Sequence, residues 1–265
     1  MKIEDEENSR SWDDFGEVTL PHTLAILPRE AISALYSQTK QIMGRMVDYK
    51  EYRMIYACAM KEIKTKFEIL NTEFSLQYNR NPINYIHTRL KSTASIIEKL
   101  MRKNLPFDID SMEANIHDIA GVRVVCSYID DVYLIAEALL KQDDITLVNK
   151  KDYIEKPKEN GYRSLHLIVK VPVFLSERRL EMEVEVQIRT IAMDFWASLE
   201  HQLNYKTDIE GIEAIVAELR ECADRINRTD TDMMHIRSKI ERANDIPSED
   251  DILFERLKKF DMPIE

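Results

Sequence analysis

Residues 181–189, Glu-Met-Glu-Val-Glu-Val-Gln-Ile-Arg, alternate polar and apolar without a slip. That period places Met182, Val184, Val186 and Ile188 on one side of a strand, and Glu181, Glu183, Glu185, Gln187 and Arg189 on the other. Other segments have other periods. Arg29 to Gln77 reads as helix, with Ile55, Ala59, Ile63, Phe67, Leu70 and Phe74 recurring at spacings of three and four. Pro82 ends that run, and a helix restarts near Ser92 with Ile96, Ile97 and Leu100 on one face. A short helix is expected over Met112–His117, then a β-branched, buried strand over Val122–Ser127.

A helix at Val132–Leu140, strands at Ile145–Lys151 and Leu165–Val171, and a strand at Leu180–Arg189 follow. Ile191–Asn204 reads as helix, as do about 209–243 and 249–260, the former charge-dense enough to suit an exposed or subunit-facing surface. Helices, then a strand-rich middle, then helices predict an α+β fold: one mixed, mainly antiparallel sheet flanked by helices.

Composition narrows the function. Of the residues, 44% are hydrophobic and 32% charged, as expected for a globular chain. No apolar run approaches the roughly 20 residues a bilayer span needs, so no membrane role is expected. The acidic start lacks the apolar core of a signal peptide, and residues 1–28, with Pro21 and Pro28, suggest a mobile leader. Three scattered cysteines suggest reduced thiols in a cytoplasm. The net charge of −11 disfavours long nucleic acids, and no specific DNA binding is expected. A small phosphorylated ligand needs only a local patch. Residues 80–103 supply one, with six cationic side chains against the single acid Glu98. None of the five glycines cluster, which excludes the Walker-type and dinucleotide phosphate loops. Any nucleotide must be held by side chains and metal.

Three constellations could supply that chemistry. Asp118 sits at the mouth of the buried strand. Alone it would most often be a cap, but paired with Glu185 it forms a two-carboxylate site suited to Mg²⁺. Arg89-x-Lys91, then Ser95, Lys99 and Arg102 on one helix face, could grip a polyphosphate or could simply be solvated. The loop Lys156-Pro157-Lys158-Glu159-Asn160-Gly161-Tyr162-Arg163-Ser164-Leu165-His166 holds an aromatic among cations, able to stack a base while the cations take its phosphates. A metal-phosphohydrolase reading of His117-Asp118 fails, because the other five histidines form no matching pattern.

Arg89-x-Lys91 with Ser-Ile-Ile-Glu-Lys-Leu (95–100), Asp-Ile-Ala-Gly-Val-Arg (118–123), Asn-Gly-Tyr-Arg-Ser-Leu-His (160–166), Glu-Val-Gln-Ile-Arg-Thr (185–190) and Ala-Met-Asp-Phe-Trp-Ala-Ser-Leu-Glu-His (192–201) occur in order. Together they resemble the synthetase domain of the RelA/SpoT family, in particular its stand-alone small alarmone synthetases of the RelQ or YjbM type. The resemblance divides the chain into an extension (1–44), a synthetase domain (45–206) and C-terminal helices for oligomerisation (207–265). It implies transfer of the terminal pyrophosphate of ATP to the 3′-hydroxyl of GTP or GDP in the bacterial stringent response.

By the same resemblance Asp118 is a Mg²⁺ ligand, and Glu185 a second acid that helps hold the metal and activates the hydroxyl. Arg89 and Arg123 sandwich adenine, while Lys91, Ser95, Lys99 and Arg102 belong to the ATP site. Lys158, Asn160, Tyr162, Arg163, His166 and Gln187 belong to the guanine-nucleotide site, with Tyr162 stacking on the base. A homotetramer is implied, and in some members a central cleft that binds product. Asp194 stands where asparagine is expected in that cleft and Glu68 near where a lysine would help; both changes weaken a phosphate site. Two rivals are a toxin that pyrophosphorylates tRNA, disfavoured by the acidic charge, and a nucleotide sensor without catalysis, which would be expected to lack an acid. Adenine as acceptor base stays open.

Overall fold

The computed structural model describes residues 29–78, 80–204 and 212–243. The expected leader (1–28) and the last expected helix (249–260) lie outside the described residues. The chain divides at Glu51 into two units. The first contributes, among the described residues, the N-terminal part of helix α1 (Arg29–Tyr78); the second holds the remaining elements.

In the second unit a five-stranded sheet has the order β1-β2-β5-β4-β3. Its strands are β1 (Ile83–Leu90), β2 (Ala120–Cys126), β3 (Thr146–Asp152), β4 (Leu165–Phe174) and β5 (Arg179–Thr190). β2 and β5 run parallel and every other neighbour is antiparallel, the mixed and mainly antiparallel sheet the pattern predicts. Between the strands lie α2 (Thr93–Arg102), α3 (Ile109–Asn115) and α4 (Ile129–Leu140); α5 (Ile191–Asn204) and α6 (Ile212–Ala243) follow.

The alternation of β5 sorts its side chains as expected, with Val184, Val186 and Ile188 fully buried. Val122 and Val124 of β2 and Leu165, Leu167 and Val169 of β4 join them on the same face. α4 packs against β2 and β5 there and buries Val132, Ile135 and Leu139. The α1 stripe Ile55, Ala59, Ile63, Phe67, Leu70 and Phe74 is buried. Polar contacts fix the part of α1 that belongs to the second unit. Asn71 accepts the Ile83 N–H at 3.2 Å, Arg53 donates to the Lys91 carbonyl at 2.8 Å, and Lys66 pairs with Asp144 at 2.7 Å. None of the described helices is long and apolar enough to cross a membrane.

β1 is the one strand the hydrophobic pattern misses. It is an edge strand paired only with β2, and Ile83 is its one buried side chain. Its ladder hydrogen bonds hold it in place, so no apolar alternation is needed. The opposite sheet face, carrying Glu183, Glu185, Gln187 and His166, is left to polar chemistry.

Phe67 has no exposure at all. Phe67→Ala is therefore expected to lower stability in urea titrations by about 3–5 kcal/mol, while Leu76→Ala, at an exposed position on the same helix, changes it by no more than about 0.5 kcal/mol.

Candidate functional site

Strand register assembles the site before any ligand is considered. His87 lies opposite Arg123, Arg123 opposite Gln187, Gln187 opposite His166, and His166 opposite Lys151. One polar row thus crosses all five strands. The neighbouring row runs Arg89, Gly121, Glu185, Ile168, Asn149. On β3 the register shifts between Leu147 and Asn149, a bulge that turns Val148 as well as Asn149 toward the same wall.

These rows floor two cavities. The first, about 330 Å³, is lined by His87, Arg89, Lys91, Asp118, Gly121, Val122, Arg123, Glu185 and Gln187. The second, about 340 Å³, is lined by Lys99, His117, Asp118, Val148, Asn149, Lys151, Tyr153, Lys158, His166, Ile168 and Glu185. Among the described residues, only Asp118 and Glu185 line both. The two acids therefore stand at the boundary between two nucleotide-sized spaces.

Asp118 lies two residues before β2, where the Lys91 N–H binds the Ile119 carbonyl at 2.8 Å and holds the end of β1 beside it. Its carboxylate accepts from Lys91 and Lys99, each at 2.8 Å. Ser92 caps α2, its side chain accepting from the Ser95 N–H, and so aims Lys99 from the last turn. Burial works to raise the Asp118 carboxyl, but the two ammonium groups outweigh it and hold it below its ordinary value. Glu185 behaves alike. Burial raises it, hydrogen bonds from His166 and Gln187 more than compensate, and the nearby Asp118 charge pushes back. Both groups are ionised at neutral pH.

Two ionised carboxylates facing open space suit a hard cation that takes one or two protein oxygens and fills its remaining positions with water and phosphate. Among the described residues no group of three or more His, Cys, Asp and Glu side chains is placed to hold a metal ion by itself.

The remaining expected residues divide into three sets. Arg89, Lys91, Arg123 and Gln187 line the first cavity, and Lys99, Lys158 and His166 the second. Lys99 thus lines the cavity that holds Lys158 and His166, and Gln187 the cavity that holds Arg89, Lys91 and Arg123. Ser95 is engaged at the α2 cap, and Arg102 stands exposed in the last turn of α2. Asn160 braces the turn, bonding Glu200 at 3.1 Å and the Tyr162 N–H at 3.2 Å. Arg163 points toward α6, pairing with Asp224 at 2.9 Å. Tyr162 sits behind the second cavity, packed on the Trp196, Ala197 and Ala223 cluster. Tyr153 takes the wall in front of it, and the Lys158 ammonium lies 4.8 Å from the Tyr153 ring and 4.7 Å from the Tyr162 ring. Gly161 has φ +89°, and a Cβ there would meet the Ala223 Cβ at 2.5 Å, so only glycine fits this turn.

Sequence reasoning passed over Tyr153, Lys151, Asn149 and His87. The Asn149, Lys151 and Tyr153 alternation was a weak signal, lost because β3 is an edge strand exposed along most of its length. Asp194 is buried and accepts hydrogen bonds from Tyr85, Arg123 and Arg189, and so occupies the interior behind the site. Glu68 is exposed and pairs with Lys64 at 3.2 Å.

The chain is similar to several known proteins. The profile of the "Region found in RelA / SpoT proteins" matches residues 88–210. The GTP pyrophosphokinase YwaC of Bacillus subtilis is 43% identical over 196 residues, which are 74% of this chain and 93% of that protein. The GTP pyrophosphokinase YjbM of the same organism is 36% identical over 196 residues, 74% of this chain and 91% of that one. Among solved structures, small alarmone synthetase 1 of Bacillus subtilis bound to its product pppGpp aligns with TM-score 0.66 at 36% identity, over 73% of this chain and 98% of that chain. Small alarmone synthetase 2 of Bacillus subtilis aligns with TM-score 0.65 at 43% identity, over 72% and 99%.

A carboxyl with a depressed value stabilises the fold above its unfolded value and loses that contribution as pH falls through the folded one. Asp118→Asn is therefore expected to cost about 1–2 kcal/mol at neutral pH. In urea titrations the gap from the parent should hold down to about pH 4 and close below it.

Proposed function

The chain belongs to the RelA/SpoT family, and we propose that it is a GTP diphosphokinase, making (p)ppGpp by moving the terminal pyrophosphate of ATP to the 3′-hydroxyl of GTP or GDP. The observation that carries this is the pair of cavities meeting at Asp118 and Glu185. A transfer between two nucleotides needs donor and acceptor held on opposite sides of the reacting atoms. Relatives named GTP pyrophosphokinase and a neighbour bound to pppGpp support the same assignment.

In this scheme ATP takes the first cavity. Arg89 and Arg123 present planar cations to the adenine, and Lys91 takes phosphate charge. The guanine nucleotide takes the second, with Lys99, Lys151, Lys158 and His166 near its phosphates and Tyr153 backed by Tyr162 at its base. Asn160 and Arg163 serve by fixing the turn that carries Lys158 and Tyr162, and Ser95 by fixing the α2 cap. Asp118 and Glu185 would hold one Mg²⁺, which when bound neutralises charge on the phosphates being moved. Glu185, already ionised, receives the 3′-hydroxyl proton as that oxygen forms its bond to phosphorus and AMP departs. Incoming phosphates offer Lys91 and Lys99 new partners and release Asp118 from its two ion pairs.

Residues 45–206 are proposed as the catalytic part, working in the cytoplasm. Free thiols at Cys58, Cys126 and Cys222 support that compartment. The C-terminal helices are proposed to build a homotetramer, supported by the exposed Phe195 and Leu199 of α5 and Met233, Ile236 and Ile240 of α6. Sedimentation is expected to give a tetramer; monomer alone would refute the assembly.

The decisive assay gives purified protein Mg²⁺, γ-labelled ATP and, separately, GTP, GDP, GMP, ADP or bulk tRNA. Label is expected on GTP and GDP. Label on tRNA alone would overturn the assignment, and none anywhere would make the chain a sensor. Glu185→Gln is expected to cut turnover by about 10²- to 10⁴-fold with nucleotide binding retained, and an active variant contradicts the role of Glu185.

A further inference from the structure

Behind the polar face lies an ion pair that none of the assigned roles uses. Arg189 is 2% exposed and Asp194 7%. A guanidinium so buried is unfavourable unless its donors find acceptors. Arg189 bonds Asp194 Oδ1 at 3.2 Å, Gln187 Oε1 at 2.6 Å and the Tyr162 hydroxyl oxygen at 3.0 Å.

Two of these contacts continue to the same carboxylate. Gln187, its oxygen held by Arg189, turns its amide N–H₂ to Glu185 Oε2 at 3.0 Å. Tyr162, its oxygen occupied by Arg189, is left to donate its O–H to His166 Nε2 at 2.8 Å. The other ring nitrogen, Nδ1, then faces Glu185 Oε1 at 3.4 Å. Both oxygens of Glu185 are thus aimed through Arg189. Asp194 also accepts from Arg123, which lines the other cavity, at 3.3 Å. Tyr85 completes its shell.

We propose that the buried Arg189–Asp194 pair is a positioning element shared by both nucleotide cavities, orienting Glu185 through Gln187 and His166 and orienting Arg123 directly. The pair touches no reacting atom. It deepens the pyrophosphate-transfer assignment and rests on it for the role of Glu185. The Nε atoms of Arg123 and Arg189 are buried without hydrogen-bond partners, so without the Asp194 charge two arginines would face each other uncompensated.

Asp194→Asn keeps the shape and removes the charge. It is expected to lower kcat about 10-fold and to weaken calorimetric binding of a non-hydrolysable ATP analogue about 10-fold. Because the binding effect runs through Arg123, the Asp194→Asn/Arg123→Gln double variant should bind no more weakly than Arg123→Gln alone. Parental kcat and affinity with only a lower melting temperature would overturn the proposal, as would losses that multiply in the double variant. If Asp194→Asn does not fold, Tyr85→Phe, which loosens the same carboxylate, carries the test at about 3-fold amplitude. A parent chain that binds ATP but transfers nothing would sink the diphosphokinase assignment and the role of Glu185, while the binding cycle would still decide whether Asp194 acts through Arg123.

Discussion

The parallel pairing of β2 with β5 is the constraint on which the site depends. Gly121 lies opposite Glu185 and Arg123 opposite Gln187, so segments far apart in sequence share one polar surface. Parallel neighbours need a crossover connection. Here it contains α4, β3 and β4, and it delivers the Lys158–His166 loop to the far side of Glu185. A slip of one residue in this register would turn every Glu and Gln of β5 into the core. The fully buried Val184, Val186 and Ile188 on the opposite face prevent that slip. Apolar packing on one side of the sheet therefore sets the chemistry on the other.

Charge is balanced within the polar face. Asp118 is matched by Lys91 and Lys99, Glu185 by donors from His166 and Gln187, and Asp194 by Arg123 and Arg189. Each carboxylate serves at a different depth. Asp118 and Glu185 are partly open to the cavities, whereas Asp194 is sealed behind them. Open ion pairs exchange partners readily because solvent lowers the cost of separation. A buried pair does not, because breaking it strands a charge. The arrangement thus combines exchangeable contacts where phosphates would arrive with fixed ones where orientation must be kept.

Much of this was legible in the residues. The β5 alternation located Glu185 and Gln187, the β-branched run located β2, and the mouth of that strand located Asp118. The Asn160-Gly161 turn was visible because its chemistry is local: Gly161 has a positive φ that other residues resist. What escaped depends on contacts between distant segments. β1 is an edge strand with a single buried side chain, so period alone cannot find it, whereas β3 was found as a strand but not as a wall of the site. The bulge at Val148 and the depth of Tyr162 behind Tyr153 arise only when β3, β4 and α6 come together. The place of Lys99 was hidden for the same reason: Lys91 and Lys99 pair with the same Asp118 carboxylate, yet Lys91 lines the first cavity and Lys99 the second.

Asp194 illustrates why a residue's type is weaker information than its direction. Judged by type, an aspartate where an asparagine is expected would repel a phosphate. In the fold it points inward, and the groups it meets are Tyr85, Arg123 and Arg189. An asparagine could accept some of these hydrogen bonds but could not neutralise two guanidinium groups. The aspartate therefore makes sense as the counter-charge of a cationic interior. The same carboxylate that weakens one conceivable phosphate contact strengthens the framework behind the two cavities, because a charge acts on the neighbours it faces.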